Sequence, residues 1–282
     1  MVNRWAPVVL GVARWAGQPE AVKRVVDGQV VVFSGASRGI GEQISRRLAA
    51  VGARVIGIAR GGEALERVEA EIRSRGGWFQ PLVGDLRDLE WAEQAGNQIV
   101  REHGAPELVV SNAGHSIHRY LADYTGRFHD VTRTAGVNYL GAVGLALPLL
   151  EAMMGQGRGH LIAISTVNLG LPMPGWSVYT ASKAAYEQWL SCVAPELRTN
   201  GVRATSIHLP RVATAMSAPT AGRYPLPELT VEQAADVICR AIVTRPRVVV
   251  PWWSRLGAVV SAGWPEGLQM VWEAVLRSGW RP

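Results

Sequence analysis

The chain has 282 residues, 48% hydrophobic and 18% charged, with a formal net charge of +6. That length suits one large α/β domain, and that apolar share excludes global disorder. Two cysteines exclude a disulfide framework and a zinc site. The basic residues lie scattered among acidic ones, which points away from nucleic acid and toward a phosphate-bearing small molecule or a lipid surface.

The first residues, Met1 to Gly17, are apolar and carry Arg4, Trp5, Arg14 and Trp15. The run Val8 to Ala13 is too short to span a bilayer, and no small-residue cleavage site follows it, so neither a membrane span nor a signal peptide is expected. Val30–Phe33 reads as a short buried strand, followed by a glycine turn and a helix to about Val51. Arg54–Ala59 is a second strand, and Glu63–Arg75 a charged surface helix. Trp78–Val83, Leu108–Ser111 and His160–Ile164 repeat the strand pattern, each followed by a helical stretch, and Val202–Leu209 and Arg247–Val250 bring the strands to seven. Strands that are apolar throughout and separated by helices predict a parallel sheet covered on both faces. Right-handed crossovers make it doubly wound, with ligands at the carboxyl ends of the strands.

The expected organisation is an N-terminal extension at 1–28 and one Rossmann-type α/β domain at 29–251, followed by a Trp-rich helical extension at 252–282. A substrate loop lies at about 211–229, with the Pro/Gly stretch Pro219 to Pro227 inside it. Cys192 and Cys239 fall in helical stretches and read as buried small hydrophobes, in keeping with a reducing cytoplasm.

The first βα turn reads Ser34-Gly35-Ala36-Ser37-Arg38-Gly39-Ile40-Gly41. Glycines at 35, 39 and 41 let the backbone turn sharply, approach a pyrophosphate and seat the helix on the sheet. The helix N-terminus then offers free N–H groups to the phosphate. The second strand ends Ile58-Ala59-Arg60, with no acid to hold a ribose diol, so Arg38 and Arg60 are read as a fork for the 2′-phosphate of NADP(H). Tyr179 and Lys183 are four apart in a stretch that reads as helix through Leu197, which puts them on one face. A neighbouring ammonium is expected to lower the phenol toward the working range. Ser165 ends the fifth strand, at the edge where ligands of such sheets collect.

With these pieces the chain resembles the short-chain dehydrogenase/reductase family over roughly Gln29 to Val250. The shared motifs are Gly35-x-x-x-Gly39-x-Gly41, Asp85-Leu86, Asn112-Ala113-Gly114, Asn138, Ser165, Tyr179-x-x-x-Lys183 and Pro210-x-x-x-Thr214. The resemblance implies a general acid/base at Tyr179, a ribose-holding ammonium at Lys183, a substrate-oxygen donor at Ser165 and a water anchor at Asn138. It also implies an adenine contact at Asp85, a cofactor cleft lined by Asn112-Ala113-Gly114, and nicotinamide contacts at Pro210, Val212 and Thr214. Ser34 stands where the family often has Thr, and Arg211 where it usually has Gly. The latter puts the loop after Pro210 in question. No metal is implied, and the six histidines show no metal spacing. His115 and His118 follow Asn112-Ala113-Gly114 and are read either as loop residues or as part of the active-site mouth. Asp85 also reads as a helix N-cap, with Asp88 competing for that place.

Five of the 11 tryptophans follow Pro251: Trp252, Trp253, Trp264, Trp272 and Trp280. Charged residues interrupt this segment, so it is not a membrane span. It is read as packing or assembly, with peripheral membrane contact as the alternative. The function expected is a cytoplasmic NADPH-dependent reductase or dehydrogenase that interconverts a hydrophobic carbonyl and its alcohol. The resemblance implies a homodimer or homotetramer. The rival readings are an epimerase or dehydratase on the same scaffold, and a non-catalytic NADP(H)-binding or membrane-surface scaffold protein.

Overall fold

Val31 and Phe33 point to one face of the first strand, Val30 and Val32 to the other, and all four are buried. A strand that is apolar on both faces needs cover on both. In the computed structural model, which describes residues 19–220 and 228–279, helices supply that cover. The order is α1 (Pro19–Val26), β1 (Val30–Ser34), α2 (Gly39–Ala50), β2 (Arg54–Ala59), α3 (Gly62–Ser74), β3 (Trp78–Val83), α4 (Leu89–His103) and β4 (Leu108–Ser111). The short α5 (Leu121–Tyr124) and α6 (Phe128–Ala135) follow. A π-turn over Gly136–Leu140 leads directly into α7 (Gly141–Gly155). Then come β5 (Gly159–Thr166), a 3₁₀ turn at Val167–Leu169, α8 (Ser177–Thr199), β6 (Val202–Leu209), α9 (Val231–Thr244), β7 (Val248–Val249), α10 (Trp252–Gly263) and α11 (Pro265–Arg277).

All seven strands pair in parallel in the order β3-β2-β1-β4-β5-β6-β7. The chain first winds outward from β1 to β3, then returns to β4 on the other side, so the switch point lies between β1 and β4. There the loops part and a crevice opens at the carboxyl ends. One core layer joins β1, β2 and β6 to α1, α2, α3 and α9 through residues such as Val26, Phe33, Ile44, Val68 and Ile238. The other joins the opposite face to α4, α7 and α8 through Val32, Ile99, Leu149 and Leu190. The expected doubly wound seven-stranded sheet is therefore present.

Three details differ from the sequence reading or lie outside it. Cys239 is buried, whereas Cys192 is exposed on α8. Helical periodicity carries position 192 to the solvent side of an otherwise packed helix. Asp88 caps α4, its side chain accepting from Trp91 N, so the cap does not fall to Asp85. The apolar run from Met1 to Gly17, most of the Pro219 to Pro227 stretch, and Trp280 lie outside the described residues.

Candidate active site

The turn after β1 needs its glycines for distinct reasons. Gly35 has φ +76°, and a Cβ there would sit 2.8 Å from Asn112 Nδ2. A Cβ at Gly41 would sit 2.0 Å from Gly35 O, so any side chain would prise α2 off the turn. Ser34 clips β1 to β4: its Oγ accepts from Asn112 N at 3.0 Å and from Ala113 N at 3.1 Å, while Asn112 Nδ2 donates to Ser34 O at 3.1 Å. Arg38 occupies the N-cap of α2 without a side-chain cap hydrogen bond. The first N–H groups of α2 therefore stay available to a phosphate, and Ser37, Gly39 and Ile40 line the space before them. That arrangement fits a dinucleotide pyrophosphate.

The crevice has a volume of about 720 Å³. Arg38, Arg60, Asp85, Leu86 and Arg87 line one end, and Asn112, Ala113, Gly114, Ser165, Thr166, Tyr179 and Lys183 its middle. Met173, Trp176, Pro210, Arg211, Val212, Thr214, Met216 and Trp253 line the other end. The structure thus brings nearly all the expected site residues to one cleft; Gly41 and Asn138 stand behind the lining. Among the described residues no cluster of side chains fits a metal ion.

At the cationic end, Arg87 grips Asp85 through Nε at 2.8 Å and Nη2 at 2.5 Å, and donates its backbone N–H at 3.0 Å. These bonds, with Arg60 at 3.8 Å, hold the Asp85 carboxyl below its ordinary range. Asp85 is thus largely engaged by Arg87, and what it offers an adenine is limited to its remaining lone pairs. The Arg60 side chain is 61% exposed and shares Asp85 only at long range, so it is available to an anion.

The middle of the cleft is built on α8. Tyr179 and Lys183 lie on one face of it, half-buried in the wall of the cleft. Burial pushes the phenol up to about 12, outweighing the opposing effect of its hydrogen bond with Thr166. It pushes the ammonium down to about 8 against the opposing charge of Glu187. The phenol therefore lies above its ordinary value, opposite to the expected direction, because desolvation outweighs the stabilising hydroxyl. Lys183 Nζ donates to Ile164 O at 2.8 Å. A Cβ on Gly114 would lie 3.7 Å from that nitrogen and 3.1 Å from Asn138 Oδ1, so the bare turn leaves room around both.

The hydroxyl that acts on the Tyr179 phenol is that of Thr166, one residue beyond Ser165. Ser165 Oγ is buried and faces the Glu187 carboxylate without a hydrogen-bond partner. Successive side chains of a strand point to opposite faces, so one residue of register decides which hydroxyl reaches the phenol. Both carry hydroxyls, and composition alone does not separate them.

Asn138 sits in the π-turn, where one extra residue per turn rotates its amide inward. Its Nδ2 donates to His115 O at 2.9 Å and to Ser182 Oγ at 2.8 Å, while Oδ1 accepts from His115 N at 2.7 Å. The amide thereby ties the loop after β4 to α8. His115 reaches the cleft, with Thr134 Oγ1 3.1 Å from its Nδ1. Burial, then the Arg133 guanidinium, push its imidazole below the ordinary value. His118 instead packs edge-on against Trp176, 5.0 Å between centroids, and Trp176 against Tyr179 at 5.8 Å. These rings wall off the phenol on the substrate side.

Arg211 explains how the chain accommodates a side chain after Pro210. It donates to Thr220 O at 3.0 Å and pairs with Glu228 at 3.0 Å, tying both arms of the following loop. Sequence reasoning missed the role of Trp253. Its position at the start of α10, just after β7, is the signal that could have found it.

The profile of the short chain dehydrogenase family matches residues 29–224. A fatty acyl-CoA reductase of Acinetobacter baylyi is 39% identical over 241 residues, covering 86% of this chain and 82% of that protein. A fatty acyl-CoA reductase of Mycobacterium tuberculosis is 35% identical over 236 residues, covering 83% and 79%. Among solved structures, a metagenomic short-chain oxidoreductase in complex with NADP superposes with a TM-score of 0.68 at 29% identity, covering 80% of this chain and 97% of that one. An NAD⁺-bound xylitol dehydrogenase, 20% identical, shares the fold with a TM-score of 0.70 over 80% of this chain and 98% of its own.

Proposed function

Because the chain belongs to the short-chain dehydrogenase/reductase family of oxidoreductases, we propose that it is an NADPH-dependent reductase of a carbonyl carried on a long apolar chain, a fatty aldehyde or acyl thioester. The observation that carries this reading is the lining of the cleft, which joins Arg38, Arg60 and Arg87 and the pair Tyr179 and Lys183 to the large apolar side chains Met173, Trp176, Met216 and Trp253. The two fatty acyl-CoA reductases among its relatives support the choice of chain.

Gly35, Ser37, Gly39 and Ile40, with the α2 N-terminus, would hold the pyrophosphate, and Gly41 lets α2 seat close enough to do so. Arg38 and Arg60 would hold a 2′-phosphate, while Leu86 and Ala113 flank the nucleoside. Pro210, Val212 and Thr214 would line the nicotinamide end. NADPH, when bound, supplies the hydride. Tyr179, a neutral phenol at working pH, gives its proton to the carbonyl oxygen as negative charge develops there. Thr166 donates a second hydrogen bond to that oxygen and aims the phenol. Lys183 holds the ribose hydroxyls and compensates the phenolate left behind. Asn138 keeps the His115 loop closed over this pair and anchors the water that returns a proton. Trp176 and His118 exclude bulk water from the substrate side.

The first test is a tryptophan-fluorescence titration with NADPH and NADH, followed by turnover of decanal and palmitoyl-CoA. Micromolar NADPH binding that Arg60→Ala weakens by about tenfold, with NADH binding unmoved, is expected for one lost charge-assisted hydrogen bond. NADH-favoured binding refutes the arginine assignment. Binding without turnover of either substrate refutes the acyl reading and supports a non-catalytic NADP(H)-binding protein.

A further inference from the structure

One partly buried ionisable group beside the reacting pair has no part in the steps above. Tyr179, Lys183 and Glu187 are spaced four apart on α8, so they form a single stripe along one face. Glu187 is held from β6: Ser206 Oγ donates to its Oε2 at 2.5 Å, and His208 Nε2 lies 3.3 Å from its Oε1. Ser165, from β5, points its unpartnered hydroxyl at the same carboxylate. A carboxylate held from β6 and placed one helical turn beyond a half-buried ammonium is positioned as its counter-charge.

We propose that Glu187 is a positioning residue that keeps Lys183 protonated, with Ser206 and His208 fixing its carboxylate. The inference rests on Tyr179 and Lys183 being the reacting pair. Burial alone disfavours the charge on Lys183, and Glu187 opposes that effect. Burial would likewise push the Glu187 carboxyl up, but the neighbouring His208 and the Ser206 hydroxyl outweigh it and hold it below its ordinary value. The other titratable groups nearby are Tyr179 and the buried Tyr186 on the same helix, the latter pushed up in part by the Glu187 charge, with His208 on β6 and His115 on the loop after β4. Asp130 on α6 is paired with Arg127 and Arg133 of its own neighbourhood.

The chain contains only two lysines, Lys23 and Lys183, which makes a direct measurement simple. Full-length protein grown with ¹³Cε-lysine gives two side-chain signals, and exposed Lys23 on α1 serves as the internal reference. Each is titrated by NMR in the wild type, Glu187→Gln and Glu187→Asp. The expected result is a Lys183 midpoint about 1 pH unit lower in Glu187→Gln, near the wild-type value in Glu187→Asp, with Lys23 unmoved throughout. An unchanged midpoint in Glu187→Gln overturns the proposal, as does an equal shift in both variants. If Glu187→Gln does not fold, the wild type decides alone. The Lys183 signal must then show a second inflection in the acid range where Glu187 protonates, and a flat signal there overturns it. None of these readings depends on turnover, so an inactive protein would refute the reductase reading without touching this one.

Discussion

Replacing Thr166 by Val separates two hydroxyls that are adjacent in sequence and serve different purposes. Valine keeps the β-branched shape at the end of β5, so the strand and its packing persist. Two interactions go: the hydrogen bond with Tyr179 and the one accepted from Asn168 N at 3.3 Å. The second is long and at the surface of the cleft, so the fold loses about 1 kcal/mol. The first is aimed at the site where charge develops, and removing such a donor costs about 10²–10³-fold in kcat, equivalent to about 2.7–4 kcal/mol. Ser165→Ala removes a buried hydroxyl that has no hydrogen-bond partner, so stability is expected to stay within about 1 kcal/mol and kcat within a few-fold. Thr166→Ser keeps the hydroxyl and most of the activity. The assay is steady-state NADPH oxidation with a fatty aldehyde, alongside urea unfolding of each variant. A slow Ser165→Ala beside a near-normal Thr166→Val would refute the assignment and restore Ser165 as the substrate-oxygen donor.

Tyr179→Phe removes the proton donor and is expected to lower kcat by about 10²–10⁴-fold, while NADPH titration shows cofactor binding within a few-fold of wild type. Activity should fall as pH rises through about 8, where Lys183 loses its charge. Stability should move the other way: the unfolded lysine titrates near 10.5, so between about 8 and 10.5 the unfolded chain binds the extra proton and the contribution of Lys183 to stability rises with pH. Parallel pH profiles of rate and of unfolding free energy check both signs. Gly41→Ala forces a methyl group to 2.0 Å from Gly35 O. An overpacking cost of about 1–3 kcal/mol should appear as a lower Tm together with weakened NADPH binding.

The strands were legible because each carries an apolar run set between helical stretches, and all seven fall close to where that pattern puts them. The turn from Gly35 to Gly41 and the Tyr179–Lys183 pair were legible because their chemistry depends on spacing within one segment. What stayed hidden depends on contacts between segments. Thr166 and Ser165 differ only by strand alternation against α8. Arg87 was not foreseen as the partner that engages Asp85. The downward push on Lys183 and the upward push on Tyr179 come from burial that only the packed sheet creates. Cys192 shows the same limit on a helix, since its solvent-facing side follows from which face α8 turns to β5 and β6.

The profile of the family ends at residue 224, yet Trp253 lines the cleft from α10. That helix rests on the turn after β5: Ser254 Oγ donates to Val167 O at 3.3 Å, and a Cβ on Gly170 would lie 2.7 Å from Ser254 O. The helix α10 thus adds a wall beside a chemical centre that it does not supply. Lineages could exchange that wall, altering chain length or shape preference, without disturbing the machinery that moves the proton.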